Sequence, residues 1–194
     1  MTVLEDRIEM AEENGELTLD ELFESLERTT PEGYKVEIVE GAIFMSPQRD
    51  THWEIIADIY EQLRTKYPRK RLKSDVRVDY PGHLNGFASD VTLVAEGAEK
   101  TPVGLWRCQD VQFVAEVISK STAQNDYGPK KTAYAVAEVP VYLIADPYQG
   151  KCHLYTQPKN GDYASELTVV FGTDVDMTTT HLGLTLSTDE FPRD

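Results

Sequence analysis

The stretch VQFVAEVIS, from Val111 to Ser119, constrains this chain more than any other. Apart from Gln112 and Glu116 it is almost wholly apolar, the pattern of a central strand covered on both faces. It therefore predicts an α/β fold with other elements packed on each side of a sheet. A carboxylate in the middle of such a strand costs several kcal/mol unless it is paired, protonated or bound to a cation. Asp90 poses the same demand at the mouth of a second apolar strand, Val91 to Val94. Two arrangements answer it. If the two strands are neighbours, Asp90 and Glu116 can share one divalent ion with Glu37, and hard oxygen ligands favour Mg2+ or Mn2+. Alternatively, Glu116 pairs with Lys130 or an arginine in a buried salt bridge, and Asp90 caps a turn.

The other elements follow from periodicity and punctuation. Thr18 heads a short helix through Leu22, Phe23 and Leu26, with Asp20 and Glu21 in its first turn. Val36 and Ile38, then Ile43 and Met45, alternate around Glu40-Gly41, which predicts a β-hairpin ending at Ser46-Pro47. Glu37 lies on its first strand, facing away from Val36 and Ile38. Trp53, Ile56, Ile59, Tyr60 and Leu63 recur at helical spacing, so an amphipathic helix is predicted from about Asp50 to Tyr67, ended by Pro68. Strands are predicted at Val76 to Val78, at Val91 to Val94, at 111–118 and at 139–146. Shorter ones around 151–156, 165–171 and 181–185 would form an antiparallel edge. Between 119 and 137 the chain turns into a helix in which Pro129 is tolerated only in a first turn or at a kink.

At 194 residues, and roughly 150 residues per domain, one core with extensions is expected. The division read here is an acidic arm over 1–17, a single domain over 18–186 and a tail over 187–194. Charge is harder to place, because 19 basic against 34 acidic residues give a net −15, whereas nucleic-acid binders usually present a basic face. Residues 1–30 hold ten acids against Arg7 and Arg28 and so account for −8 of this. Between the acidic ends, Arg64, Lys66, Arg69, Lys70, Arg71 and Lys73 form a run with no acid among them. It reads either as a phosphate-binding patch for DNA or as a solvated helix end.

No window approaches the roughly 20 apolar residues that span a bilayer. The opening MTVLEDRIEMAEENGE is acidic where a secretory signal is basic and then apolar, so a cytoplasmic location without membrane association is expected. Cys108 and Cys152 lack CxxC spacing and read as buried or free thiols. His52, His83, His153 and His181 show no ligand spacing, which leaves them capping or surface roles. No nucleophile elbow, phosphate-binding loop or dinucleotide fingerprint stands in a strand-turn-helix context.

Taken in order, the motifs resemble the Uma-two family of restriction-endonuclease-like proteins in the PD-(D/E)xK superfamily, from about residue 18 to 157. VEIVEGAIFMSP, from Val36 to Pro47, resembles that family's Glu-containing hairpin and brings Glu37 onto its first acidic position. His52 matches a histidine often found at the start of the family's long helix. SDVTLV, from Ser89 to Val94, resembles its PD strand, with Ser89 in place of the usual proline and Asp90 retained. VAEVISKST, from Val114, carries Glu116, and DYGPKKTAYAVAEVPVYLIADP, from Asp126 to Pro147, carries Lys130 and Tyr134.

The resemblance implies a restriction-endonuclease-like mixed β-sheet core flanked by helices, with an N-terminal hairpin and an antiparallel edge. It also implies a metal-dependent endonuclease that hydrolyses DNA, and it allows a homodimer. Asp90 and Glu116 would hold Mg2+ or Mn2+, with Glu37 assisting. One departure matters: the superfamily's E-x-K lysine stands two residues after the glutamate, and here that place is Ile118. The resemblance moves the role to Lys130, which would orient the attacking water or stabilise the pentavalent phosphate; Lys120 is the weaker alternative. The missing strand lysine and the net −15 point instead to a catalytically silent binding or regulatory module on the same fold.

Overall fold

The computed structural model describes residues 17–47 and 49–194, so the predicted acidic arm lies outside the described residues up to residue 16. The chain divides into two compact units, one ending at Glu32 and the other running from Gly33 to Asp194. In the first, helix α1 (Leu19–Glu27) begins at Thr18 as predicted. The Thr18 hydroxyl accepts from the Glu21 amide, and the Glu21 carboxylate accepts from the Thr18 amide at 2.8 Å, a reciprocal capping box.

In the second unit, β1 (Tyr34–Val39) and β2 (Ala42–Pro47) form the predicted hairpin. Its turn needs positive φ at both central residues, and Glu40 (50°) and Gly41 (80°) supply it. Helix α2 (Asp50–Arg64) follows and stops short of Tyr67. Then come β3 (Leu72–Lys73), β4 (Val78–Tyr80), β5 (Asn85–Phe87), β6 (Val91–Val94), β7 (Trp106–Arg107) and β8 (Val111–Val117). The helix predicted between 119 and 137 is two: α3 (Ala123–Tyr127) and α4 (Pro129–Val136), divided at Gly128, with Pro129 in the first position of α4. There its missing N–H costs nothing. Strand β9 (Val141–Asp146) returns to the sheet as predicted, and β10 (Lys151–Lys159) and β11 (Asp162–Val170) build the predicted antiparallel edge beside it. The strand expected over 181–185 is reduced to β13 (Thr185–Leu186), which pairs with β12 (Val175–Asp176).

The principal sheet has the order β11-β10-β9-β8-β6-β3, with β8 and β9 parallel and the other pairs antiparallel. A second sheet runs β2-β1-β5-β4-β7. Both faces of β8 are covered, as its sequence requires. On one face Phe113, Ala115 and Val117 join Ile55, Ile59 and Leu63 of α2. On the other, Val114 and Ile118 join Tyr134 of α4 and Phe87 of β5. Period 2 places Glu116 on this second face, toward α4. Cys108 and Cys152 are buried thiols. Among the described residues, no helix is long and apolar enough to cross a membrane.

Candidate active site

Glu116 is met on the α4 side by two groups one helical turn apart. Lys130 Nζ stands 2.7 Å from its Oε1, and the Tyr134 hydroxyl donates to the same oxygen at 2.5 Å. Asp90, just ahead of β6, is its neighbour because β6 and β8 are adjacent antiparallel strands, with Val91 opposite Ala115. The Asp90 carboxylate accepts from the Val117 amide at 2.7 Å, which anchors it across the strand pair. Glu37, on β1, enters from the second sheet and accepts from the Ala88 amide at 3.0 Å. Glu37, Asp90, Glu116 and Lys130, which come from four separate segments, thus line one cleft.

A residue that the sequence reading passed over organises this cluster. Lys35 Nζ lies 2.7 Å from Asp90 Oδ1, 3.8 Å from Glu116 Oε2 and 3.9 Å from Glu37 Oε2. The signal was available, since period 2 on β1 puts Lys35 on the same face as Glu37. Lys130 is the second cation and touches Glu37 at 3.0 Å, Glu116 at 2.7 Å and Asp126 at 2.9 Å. Its three N–H groups therefore face three carboxylates. The i,i+4 contact with Asp126 exists, but as one part of a buried network rather than as a surface pair.

Charge states follow from this crowding. Burial works against an ionised Glu116, yet Lys130 and Lys35 outweigh it and hold the carboxyl down to about 2. Burial likewise opposes the Lys35 ammonium, and Asp90, Glu37 and Glu116 more than compensate, so it stays protonated well above the ordinary lysine range. Asp126 is pushed the other way, up to about 7, because burial, together with the Glu116 and Glu37 charges, outweighs the Lys130 ammonium beside it. Tyr134 is held neutral by burial and by the Glu116 charge, as a donor to that carboxylate must be.

Among the described residues, no three His, Cys, Asp or Glu side chains are arranged as a ready metal site. The Lys35 ammonium instead lies among Glu37, Asp90 and Glu116. The donors nevertheless suit a hard divalent ion: three carboxylates already gather around one cation. Four acids against two lysines leave the cluster at a formal −2 when Asp126 is ionised and −1 while it keeps its proton, so a divalent ion would meet net negative charge.

The other candidates are distributed as follows. His52 lines the cleft rather than capping or facing solvent, and its Nε2 lies 2.7 Å from the Val117 carbonyl. A carbonyl only accepts, so Nε2 carries the proton. Trp53, expected on the apolar stripe of α2, is 54% exposed and lies beside the same cleft. Lys120 is exposed and sits over the Tyr148 ring at 4.9 Å. The basic run starts at the far end of α2, about 20 Å from the cleft by helix rise, and comes near the site only at its end, where Lys73 of β3, two residues before the cleft-lining Asp75, stands opposite Thr92. Within the run, Arg64, Lys66 and Arg71 bond carbonyl oxygens of Tyr67, Leu182 and Val94, while Arg69 and Lys70 are exposed.

A mixed sheet flanked by helices, with acids from a hairpin and two adjacent strands lining one cleft, has the restriction-endonuclease-like architecture. The sequence matches the Uma2 family, described as "Putative restriction endonuclease", over residues 20–189. The chain belongs to that family. Among solved structures, one described as a "putative nuclease belonging to DUF820", from Anabaena variabilis ATCC 29413, superimposes with a TM-score of 0.68 at 16% identity. The match covers 90% of this chain and 97% of the other. No curated protein matches the sequence.

Proposed function

We propose that the chain is a metal-dependent endonuclease that hydrolyses DNA phosphodiester bonds. The observation that carries this reading is the convergence of Glu37, Asp90 and Glu116 on one cationic point in a cleft. Asp90 and Glu116 would hold Mg2+ or Mn2+, with Glu37 assisting. A bound ion supplies Lewis-acid polarisation at the phosphate and a water of lowered pKa.

The chain's own groups set up the rest. Tyr134 and Lys130 fix one oxygen of Glu116 from the α4 side, which leaves its Oε2 turned toward Lys35. The Val117 amide fixes Asp90, and His52 holds the carbonyl of that same residue. Lys130 can reach water or the pentavalent phosphate only by releasing a donor from Glu37, Glu116 or Asp126, so its first task is to position those acids. Exposed Arg69 and Lys70 would meet DNA phosphates away from the scissile bond.

The test is cleavage of single- and double-stranded DNA and of RNA with Mg2+ or Mn2+, run beside Asp90→Ala. Metal-dependent cleavage of DNA that disappears in Asp90→Ala is the expected result. One observation favours a second reading: Lys35 already neutralises the three acids, as it would in a catalytically silent binding module. Absence of cleavage from every substrate, with no Mn2+ bound, is the outcome that selects it.

A further inference from the structure

The cluster contains two lysines in different surroundings. The Lys130 side chain is 2% exposed and closed in by Glu37, Glu116 and Asp126, with the Phe87 ring 5.6 Å from its nitrogen. The Lys35 side chain is 12% exposed, is carried on a strand of the other sheet and makes one short contact, to Asp90. Its distances of 3.8 and 3.9 Å to Glu116 and Glu37 are ion-pair separations without hydrogen bonds. Lys130 would have to break contacts with three carboxylates to move; Lys35 would give up one hydrogen bond.

We propose, on the basis of the nuclease reading above, that Lys35 is a displaceable cation. Its ammonium fills the metal position between Glu37, Asp90 and Glu116 in the resting protein, then withdraws toward the cleft mouth when a divalent ion enters, and there it contacts the scissile phosphate. The lysine that Ile118 fails to supply from β8 is thus supplied by β1, while Lys130 remains a positioning residue behind the acids. Electrostatics favours the exchange. A divalent ion satisfies three carboxylates that a single ammonium serves unequally, and the released ammonium gains the phosphate, a hard anion that enters from the solvent side. Lys35 is a flexible four-carbon stem with three rotatable donors, suited to such a change of partner.

The experiment compares wild type, Lys35→Met, Lys35→Arg, Lys130→Met and Asp90→Ala by Mn2+ titration calorimetry, by melting in chelator and in Mn2+, and by cleavage at saturating Mn2+. Removing the resident ammonium should tighten Mn2+ binding about tenfold or more, the scale of a lost charge-assisted hydrogen bond. Cleavage at saturating Mn2+ should fall about 100-fold, the scale of a lost transition-state contact. Mn2+ should raise the melting temperature of Lys35→Met more than that of wild type, which also reports folding if the variant is weak in chelator. Lys35→Arg should bind Mn2+ no tighter than wild type and keep most of its cleavage. Lys130→Met should not tighten Mn2+ binding.

Unchanged Mn2+ affinity in Lys35→Met overturns the displacement, and undiminished cleavage overturns the phosphate contact. Binding that appears in Lys35→Met but not in wild type supports displacement. Failure of all variants and of wild type to bind Mn2+ removes the nuclease reading itself and the Lys35 proposal with it. Wild-type binding and cleavage that Asp90→Ala abolishes, alongside a silent Lys35→Met substitution, removes the Lys35 proposal alone.

Discussion

The hydroxyls of Ser89 and Tyr134 lie 2.8 Å apart, and Tyr134 directs its own proton to Glu116 at 2.5 Å. Ser89 must therefore donate to Tyr134, forming a relay of two hydroxyls that ends on the central carboxylate. The Tyr134 ring is also packed, edge-on to Tyr80 and Phe87 at 4.9 and 5.6 Å, so its contribution has an apolar part and a polar part.

Tyr134→Phe keeps the ring and deletes the relay. It should destabilise the protein by about 1–3 kcal/mol, the usual cost of leaving buried polar groups without a partner. Ser89→Ala should cost less, and the double variant should cost less than the sum of the two, because both singles break one network. Chemical denaturation of the four proteins of this cycle checks it; strict additivity would mean that the two hydroxyls are not coupled.

Asp126 makes metal-free stability depend on pH in a direction unusual for an acid. Its carboxyl is raised from 3.8 to about 7 on folding, so between about pH 4 and 7 the folded chain keeps a proton that the unfolded chain has released. Stability in chelator should fall as pH rises through that window and level off above it. Glu116, held down to about 2, acts in the opposite sense and lower down: its contribution is present above about pH 4.5 and is lost as pH falls toward 2. Asp126→Asn should flatten the slope between about pH 4 and 7 in thermal melts. A slope identical to that of wild type would place the retained proton elsewhere in the cluster.

The legibility of this chain in its sequence was uneven for physical reasons. Two polar residues interrupt the apolar strand β8, and each is answered: Glu116 by Lys130 and Tyr134, and Gln112 by Arg71, whose guanidinium donates to its side chain at 2.6 Å. The demand for partners was therefore readable. Of the two arrangements read for Glu116, the salt bridge with Lys130 is present, and the lysines sit among the acids that the metal reading assigns to a divalent ion. Lys35 was missed although it shares a strand face with Glu37; its 55-residue separation from Asp90 hid the partner. Strands β3, β5 and β7, at two or three residues each, are too short for periodicity to register. Trp53 fitted the helical stripe by spacing, but near the start of α2 it lines the cleft instead of joining the core.

The basic run divides into residues that hold the fold and residues that face outward. Arg71 bonds Val94 and Gln112, so reversing its charge would damage the core, whereas Arg69 and Lys70 are exposed and suit the test. On the proposed function they would contact duplex phosphates away from the scissile bond. Arg69→Glu combined with Lys70→Glu should weaken DNA binding and reduce the salt slope of log K by about 1.8, while kcat stays unchanged. An unaltered salt slope would reduce the run to a solvated helix end.

Trp53 supplies the last prediction, because a large indole that is 54% exposed beside an acidic cleft is not placed there by burial. Ile55, Ile56 and Ile59 already fill the inward face of α2, so truncating Trp53 should leave the melting temperature almost unchanged. If the cleft cuts phosphodiester bonds, as proposed, an exposed indole there has a natural partner in the π-face of a nucleobase next to the scissile bond. Base–aromatic stacking is worth about 1–3 kcal/mol and is indifferent to base identity. Trp53→Ala should therefore raise KM for single-stranded or frayed DNA by roughly 5- to 150-fold, the equivalent of that energy, with kcat little changed and no new sequence preference. Trp53→Phe should recover most of the loss. If Trp53→Ala leaves KM intact on every substrate, the indole does not touch DNA, and the substrate must approach the cleft from the side of β1.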